Sequence, residues 1–129
     1  MLKKDILYYF PFEKLEVWQN AKKLVIDIYA ITKKFPGVEK FGLTSQINRA
    51  AVSVASNLAE GSSRTSMKDQ AYFSQLAFSS LMELACQIAI AQELNFIDSE
   101  RYDSLRRDIE VLSIKLNALR KSQLKRAAQ

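Results

Sequence analysis

Residues 66–94 read SMKDQAYFSQLAFSSLMELACQIAIAQEL and contain neither glycine nor proline. Apolar and small side chains recur along this stretch at intervals of three and four, the spacing that places them on one face of an α-helix. Ser66 stands at the start, where its hydroxyl is placed to cap the backbone amide of Asp69. The stretch therefore predicts one helix over residues 67–94, about 42 Å long at ~1.5 Å per residue.

The rest of the chain is also short of turn-forming residues. Its 129 residues include 3 glycines and 2 prolines, all of them before residue 62. Glycine and proline together usually make up roughly 12% of a protein. Sandwiches and barrels need a turn about every 8–12 residues. The composition therefore predicts an all-α protein whose residues 1–129 form a single domain.

Boundary signals divide the chain into an N-terminal arm, residues 1–14, and four helices. Pro36-Gly37 ends the first helix, and Gly61 is predicted to follow the end of the second. Apolar residues in the fourth helix repeat as a heptad. Short connections between long helices imply antiparallel neighbours and an up-down-up-down four-helix bundle. The predicted helices span about residues 16–34, 43–60, 67–94 and 99–125.

Composition excludes several classes of catalyst. The chain has no histidine and a single cysteine, Cys86, which rules out Ser-His-Asp and Cys-His catalysis, histidine-ligated zinc and an internal disulfide. We therefore expect no enzymatic activity, no cofactor and no metal. Cys86 lies among alanines and Ile88, so it is predicted to be a buried thiol. A thiol without a partner suits the reducing cytoplasm, which is the predicted location.

The second and third helices lack a charged outer face. Only Arg49 and Glu60 are charged in residues 43–60, and only Glu83 between Gln70 and Gln92. Helices that are apolar or small nearly all round must bury a second face, which predicts a homo-oligomer. The alternative is that an aromatic N-terminal arm, with Tyr8, Tyr9, Phe10 and Phe12, covers that face. A membrane span is not predicted, because Gln75, Glu83 and Gln87 interrupt the third helix.

The few polar side chains of this apolar region are predicted to form a structural network between helices or between subunits, in which acids pair with arginines. Glu60 and Arg64 have the i,i+4 spacing of a helical ion pair. A less favoured interpretation makes Glu60 and Glu83 a carboxylate pair for acid–base or metal chemistry. The predicted network comprises Arg49, Asn57, Glu60, Arg64 and Glu83.

The net charge of +5 is concentrated at the C-terminal end. Residues 1–110 hold 14 basic and 14 acidic side chains, and every charge after residue 110 is positive. Such an end binds a phosphate backbone, or it complements the negative end of a helix dipole. The candidate nucleic-acid-binding residues are Lys115, Arg120, Lys121, Lys125 and Arg126.

Several short motifs carry a family resemblance. They are FEKLEVW at 12–18, EKFGLTSQI at 39–47, RAAVSV at 49–54 and SNLAEG at 56–61. With these motifs, residues 12–97 resemble the bacterial four-helix-bundle proteins called 23S rRNA-intervening-sequence proteins. The resemblance implies a bundle that assembles into rings, often homopentamers, mostly without an assigned activity. A related branch, the accessory proteins of diversity-generating retroelements, forms basic rings that bind nucleic acid and a reverse transcriptase.

The chain departs from the family pattern at three places. The family often has Arg where Asn48 stands, Pro where Ala55 stands, and Arg-Gly where Phe78-Ser79 stand. The first and third departures remove basic groups from the second and third helices. The predicted function is therefore a non-enzymatic homo-oligomeric bundle that binds RNA or DNA non-specifically through basic surfaces. The alternative is a protein–protein adaptor or scaffold ring with no nucleic-acid role.

Overall fold

A computed structural model describes residues 5–129, and these residues form four α-helices and no β-strand. A 3₁₀ turn, Pro11–Lys14, precedes the first helix, and a second one, Gly37–Glu39, separates the first two. The all-α four-helix class predicted from the sequence is confirmed. The helices are α1 Glu16–Thr32, α2 Leu43–Ser62, α3 Met67–Glu93 and α4 Ser99–Ala127.

Neighbouring helices run antiparallel around one core. Ser53 of α2 contacts Ser80 of α3, whereas Gly61, later in α2, approaches Phe73, earlier in α3. Helix α1 packs against α2 and α4, and α3 packs against the same two helices from the other side. Large side chains with almost no exposure fill the centre: Ile28, Ile47, Val54, Leu81, Leu84, Ile88, Leu112 and Leu116.

The turn between α3 and α4 is made without glycine. Asn95 takes a positive φ of 65°, a conformation that Asn tolerates better than most residues. The amide of Phe96 donates to the carbonyl of Ala91 at 2.9 Å, which closes the end of α3. The predicted Ser66 cap of α3 is confirmed, because its hydroxyl accepts from the Asp69 amide at 3.1 Å.

Gly61 does not end α2 as the sequence predicted, because the helix continues to Ser62. A Cβ atom at Gly61 would lie 2.7 Å from the Cβ of Phe73 on α3. Glycine is therefore needed inside the helix, where it lets the α2 and α3 backbones approach closely. Its φ is not positive, so packing rather than backbone conformation accounts for the residue.

Gly61→Ala is expected to lower the free energy of unfolding by about 1–2 kcal/mol. The new methyl group must push α2 and α3 apart, and overpacking costs ~1–3 kcal/mol, partly offset by the better helix propensity of alanine. Urea denaturation followed by circular dichroism measures the change. Gly37→Ala is the matched control, because a Cβ there meets no atom within 4 Å. Equal stability of the two variants would contradict the packing argument.

Candidate nucleic-acid interface

One end of the bundle gathers the N-terminal 3₁₀ turn, the end of α2, the start of α3 and the end of α4. A shared cleft lined by Pro11, Gly61, Gln70 and Gln123 shows that these four elements meet there. Inside the cleft wall, the hydroxyl of Ser74 donates to Oε1 of Gln123 at 2.7 Å. This buried bond joins α3 to α4 and holds the last turns of α4 against the bundle.

Lys115 is engaged within the chain. Its ammonium group forms an ion pair with Glu16 and donates to Oδ1 of Asn20 at 3.2 Å. The hydrogen bond and the positive charge of Lys115 lower the pKa of the Glu16 carboxyl below its usual value of 4.5. Lys115 therefore ties α4 to α1, so its charge is less available to a phosphate backbone than sequence reasoning assumed.

The Glu16–Lys115 tie predicts a pH dependence of stability. A carboxyl whose pKa is lowered in the folded state contributes stability above its unfolded pKa and loses it as the pH falls through the folded pKa. Wild type is expected to be more stable than Glu16→Gln above pH 4.5, and the difference should vanish at lower pH. Urea denaturation between pH 3 and pH 7 measures it. Lys115→Gln should abolish the same pH-dependent difference, and its persistence in that variant would contradict the assignment.

The other four predicted basic residues make no ion pair with any described residue. Arg120 is half-buried, whereas Lys121, Lys125 and Arg126 are exposed. Lys121 and Lys125 are four residues apart and share the outer face of α4. Lys125 and Arg126 occupy its last turn, where they also complement the helix dipole.

The fold adds three cations that sequence reasoning missed. Lys14 closes the 3₁₀ turn, Arg64 follows α2, and Lys68 lies in the first turn of α3. With the four cations of α4 they make seven, and Glu13, Glu60 and Asp69 are the acids beside them. The net charge of these side chains is therefore +4, when Lys115 and Glu16 are left out as a pair. We call these cations the basic end: Lys14, Arg64, Lys68, Arg120, Lys121, Lys125 and Arg126.

Charge arithmetic alone could not have found the three extra cations. They are scattered among acids in the sequence, and they join the α4 group only because antiparallel packing brings helix ends together. Arg64 is the most constrained of them. It pairs with Glu60 at 2.9 Å and lies over the ring of Phe73, 4.7 Å from its centroid. The net positive charge is therefore a property of the bundle end and not of α4 alone.

The five residues of the predicted polar network do not form one network within the chain. Glu60 and Arg64 make the predicted pair, but both side chains are about half exposed. Glu83 is exposed and accepts from Nε2 of Gln87 at 3.2 Å rather than from an arginine. Arg49 is exposed and pairs with no acid in the described residues. A network between subunits stays a prediction.

Asn57 takes part in the polar link between α2 and α3. Its Nδ2 donates to the carbonyl and the hydroxyl of Ser53, and that hydroxyl lies 2.8 Å from Oγ of Ser80. Glu60 and Glu83 have separate partners, Arg64 and Gln87, so neither hydrogen bond links the two carboxylates. Residues 5–129 contain no group of three or more His, Cys, Asp or Glu that could hold a metal ion.

Helix α3 leaves an apolar ridge on the outside of the bundle. We define the α3 ridge as Met82, Cys86 and Ile90, which follow one another at intervals of four and are all exposed. Cys86 was predicted to be buried, and this prediction is wrong. Glu83 is exposed three residues before Cys86, so this one charge marks the outer face of α3 and is the sequence signal that places Cys86 there.

The aromatic arm lies elsewhere. Phe12 packs edge-on against Trp18 of α1 at 4.7 Å, and Phe10 stacks on Phe12 at 5.9 Å. The adjoining 3₁₀ turn contacts α1 and α2. The described part of the arm, residues 5–14, therefore leaves the α3 ridge uncovered, with Ile90 47% exposed and Met82 39% exposed.

These observations define an antiparallel four-helix-bundle protein with one cationic end. The family described as 23S rRNA-intervening sequence protein matches residues 13–118, and the chain belongs to that family. A solved structure with TM-score 0.76 is the protein of unknown function from the S23 ribosomal protein family of Bacteroides thetaiotaomicron. It is 20% identical, with 81% of this chain and 98% of that chain covered. The comparison with curated proteins found no match.

Proposed function

We propose that this chain is a non-enzymatic, self-associating bundle protein of the cytoplasm that binds RNA or DNA through its basic end without reading sequence. The observation that carries the proposal is the excess of unpaired positive side chains where α4 ends beside α2 and α3. Phosphate contacts supply most non-specific binding, and they need cations with free donors rather than a shaped groove.

The salt dependence of binding tests the proposal. Each phosphate contact on duplex DNA contributes a slope near −0.9 in log affinity against log salt, so four contacts from Arg120, Lys121, Lys125 and Arg126 give roughly −3.6. Fluorescence anisotropy of a labelled 20-base-pair duplex between 50 and 300 mM KCl measures the slope. Binding that ignores salt, or no binding at 50 mM, would refute the proposal. Deleting residues 115–129 is not a usable test, because Leu116 and Gln123 are buried in the bundle.

Self-association is proposed through the α3 ridge. Contiguous exposed apolar surface marks interaction sites, and residues 5–14 of the arm do not cover this ridge. Helix α3 passes the length and composition test for a membrane span, which core helices of soluble proteins also pass. A protein interface is favoured over a membrane, because Gln75, Glu83 and Gln87 lie along the same helix. The ring of five that the family resemblance implies remains the expected form.

Ile90→Glu is expected to shift the chain toward monomer, because the new carboxylate must be desolvated in any interface that includes the ridge. Sedimentation velocity across a hundredfold range of protein concentration measures the change. Val111→Glu on α4 is the matched control, because Val111 is 52% exposed and Ile90 is 47% exposed. Self-association through the α3 ridge would be contradicted by a wild-type protein that stays monomeric at all concentrations. An Ile90→Glu variant that assembles as well as the control would contradict it too.

The second candidate function is an adaptor for another protein. It is favoured by an apolar groove of about 320 Å³ between α1 and α2, lined by Trp18, Val25, Ile26, Val52 and Ala55 among others. The two functions differ in their dependence on salt, because apolar docking is insensitive to counterions. Native mass spectrometry of the purified full chain distinguishes them directly: co-purifying nucleic acid supports the first function, and a co-purifying protein without nucleic acid supports the second.

A further inference from the structure

The cations of the basic end lie around the cleft where the 3₁₀ turn Pro11–Lys14, α2, α3 and α4 meet. Its volume is about 270 Å³. Apolar walls come from Leu15, Leu58 and Leu119, and Arg126 is the only charged residue among the described residues that line the cleft. The uncharged polar lining consists of three serines, Ser62, Ser74 and Ser122, and of three carboxamide side chains, Asn57, Gln70 and Gln123.

In each of these three carboxamides, one of the two polar atoms forms a hydrogen bond within the protein. Oε1 of Gln123 accepts from Ser74, and no residue within 5–129 accepts a hydrogen bond from its NH₂ group. Nδ2 of Asn57 donates to Ser53, and Nε2 of Gln70 donates to the carbonyl of Arg64 at 2.9 Å, so the oxygen of each amide remains. Gln123 is only 8% exposed, but its NH₂ group is not among the buried polar atoms that lack a partner. It therefore reaches solvent and can donate to a ligand in the cleft.

We propose that this cleft binds one unstacked nucleotide, with the base between the leucine walls and the phosphate on Arg126. The proposal rests on the proposed function and deepens it, because it makes an unpaired strand the preferred ligand of the basic end. An amide donor beside two amide oxygens matches the adjacent acceptors and donors on the edge of a base. A single guanidinium with no carboxylate in the lining suits one phosphate group.

Size and accessibility point the same way. Pockets for drug-sized ligands hold about 300–1,000 Å³, so a cleft of about 270 Å³ accommodates one base with part of its sugar rather than a longer segment. In a duplex the base edges are paired and stacked, so only a single-stranded end, a loop or a free nucleotide can present them. These three ligands share the chemistry of an unpaired nucleotide, and the experiments below distinguish between them.

The primary test compares two substitutions that remove one positive charge from neighbouring positions. Arg126→Gln changes a residue that lines the cleft, whereas Lys125→Gln changes an exposed residue that does not. Anisotropy at 100 mM KCl with a labelled 12-nucleotide RNA and the matching duplex gives the ratio of the two affinities. Wild type is expected to prefer the single strand. Arg126→Gln removes a phosphate contact from both ligands, but it is expected to lower the single-strand affinity about tenfold more, because only the single strand places its phosphate inside the cleft. Lys125→Gln should weaken both ligands alike. Equal ratios for the two variants would overturn the proposal.

Gln123→Leu provides a second test with no change in charge. Its single-strand to duplex ratio should also fall about tenfold, and circular dichroism establishes whether the variant is folded. If it is unfolded, the comparison of Arg126→Gln with Lys125→Gln decides alone. A folded Gln123→Leu with the wild-type ratio counts against the proposal.

Titration of the wild-type chain with uridine monophosphate, inorganic phosphate and uridine separates the possible sources. A saturable NMR shift of the Gln123 side-chain amide with the monophosphate, and a weaker one with phosphate or uridine, supports a nucleotide site. If polymers do not bind but the monophosphate does, the proposed function fails and the cleft proposal stands with a free nucleotide as ligand. If duplex binds with the expected salt slope but neither single-strand preference nor nucleotide shift is seen, the cleft proposal fails and the proposed function stands.

Discussion

Leu84→Ala is expected to lower the free energy of unfolding by about 3 kcal/mol, within the ~2–5 kcal/mol found when a buried leucine becomes alanine. Leu84 has 0% exposure and lies near the middle of α3. Because α3 packs against both α2 and α4, the cavity would open where three helices meet and could collapse only by moving whole helices. The loss therefore includes the cavity as well as the transfer of the missing methyl groups.

Guanidinium denaturation followed by circular dichroism, at a fixed protein concentration, measures this loss. Leu124→Ala is the matched control, because the same atoms are removed from a side chain that is 44% exposed in α4. We expect the control to cost less than about 0.5 kcal/mol. A Leu84→Ala variant no less stable than Leu124→Ala would mean that the centre of the bundle is not packed as described.

The same helix shows where sequence reasoning succeeds and where it fails. In α4 the apolar heptad is bordered by charged residues, and Leu105, Leu112 and Leu116 are buried as the pattern predicts. In α3 both faces are largely apolar and Glu83 is the single charge between Gln70 and Gln92, so length and helical state could be predicted but Cys86 was assigned to the wrong face. Periodicity identifies a core face only by contrast with a charged one.

The candidate site divides along similar lines. Arg120, Lys121, Lys125 and Arg126 are close in sequence, so a count of charges was enough to find them. The partner of Lys115, by contrast, is 99 residues away in Glu16, and Lys14 and Lys68 join the basic end only through the antiparallel packing. Gly61 is a further case, since its role depends on the approach of Phe73 from another helix. Local sequence indicates charge, but the fold decides which charges are free.

Neutralising the four free cations of α4 together is expected to reduce nucleic-acid affinity at 50 mM salt at least a hundredfold. The variant combines Arg120→Gln, Lys121→Gln, Lys125→Gln and Arg126→Gln. At this salt concentration each phosphate contact contributes about tenfold, so two contacts among the four already account for a hundredfold loss. The slope of log affinity against log salt should become shallower by about 0.9 for every contact removed. Anisotropy with the labelled duplex measures both quantities, and circular dichroism establishes that the variant is folded.

A control variant with the same change in net charge tests whether the location of the cations, and not only their number, determines the affinity. Lys33, Lys34, Lys40 and Arg107 are all exposed, and they lie between α1 and α2 or in the first half of α4, away from the basic end. Their combined replacement by glutamine also removes four positive charges. Charges separated by more than roughly 14 Å are largely screened at 50 mM salt, so this control is expected to change affinity less than about threefold and to keep the wild-type salt slope. If the two variants lose affinity equally, binding follows the total charge of the chain, and the basic end has no special part in it.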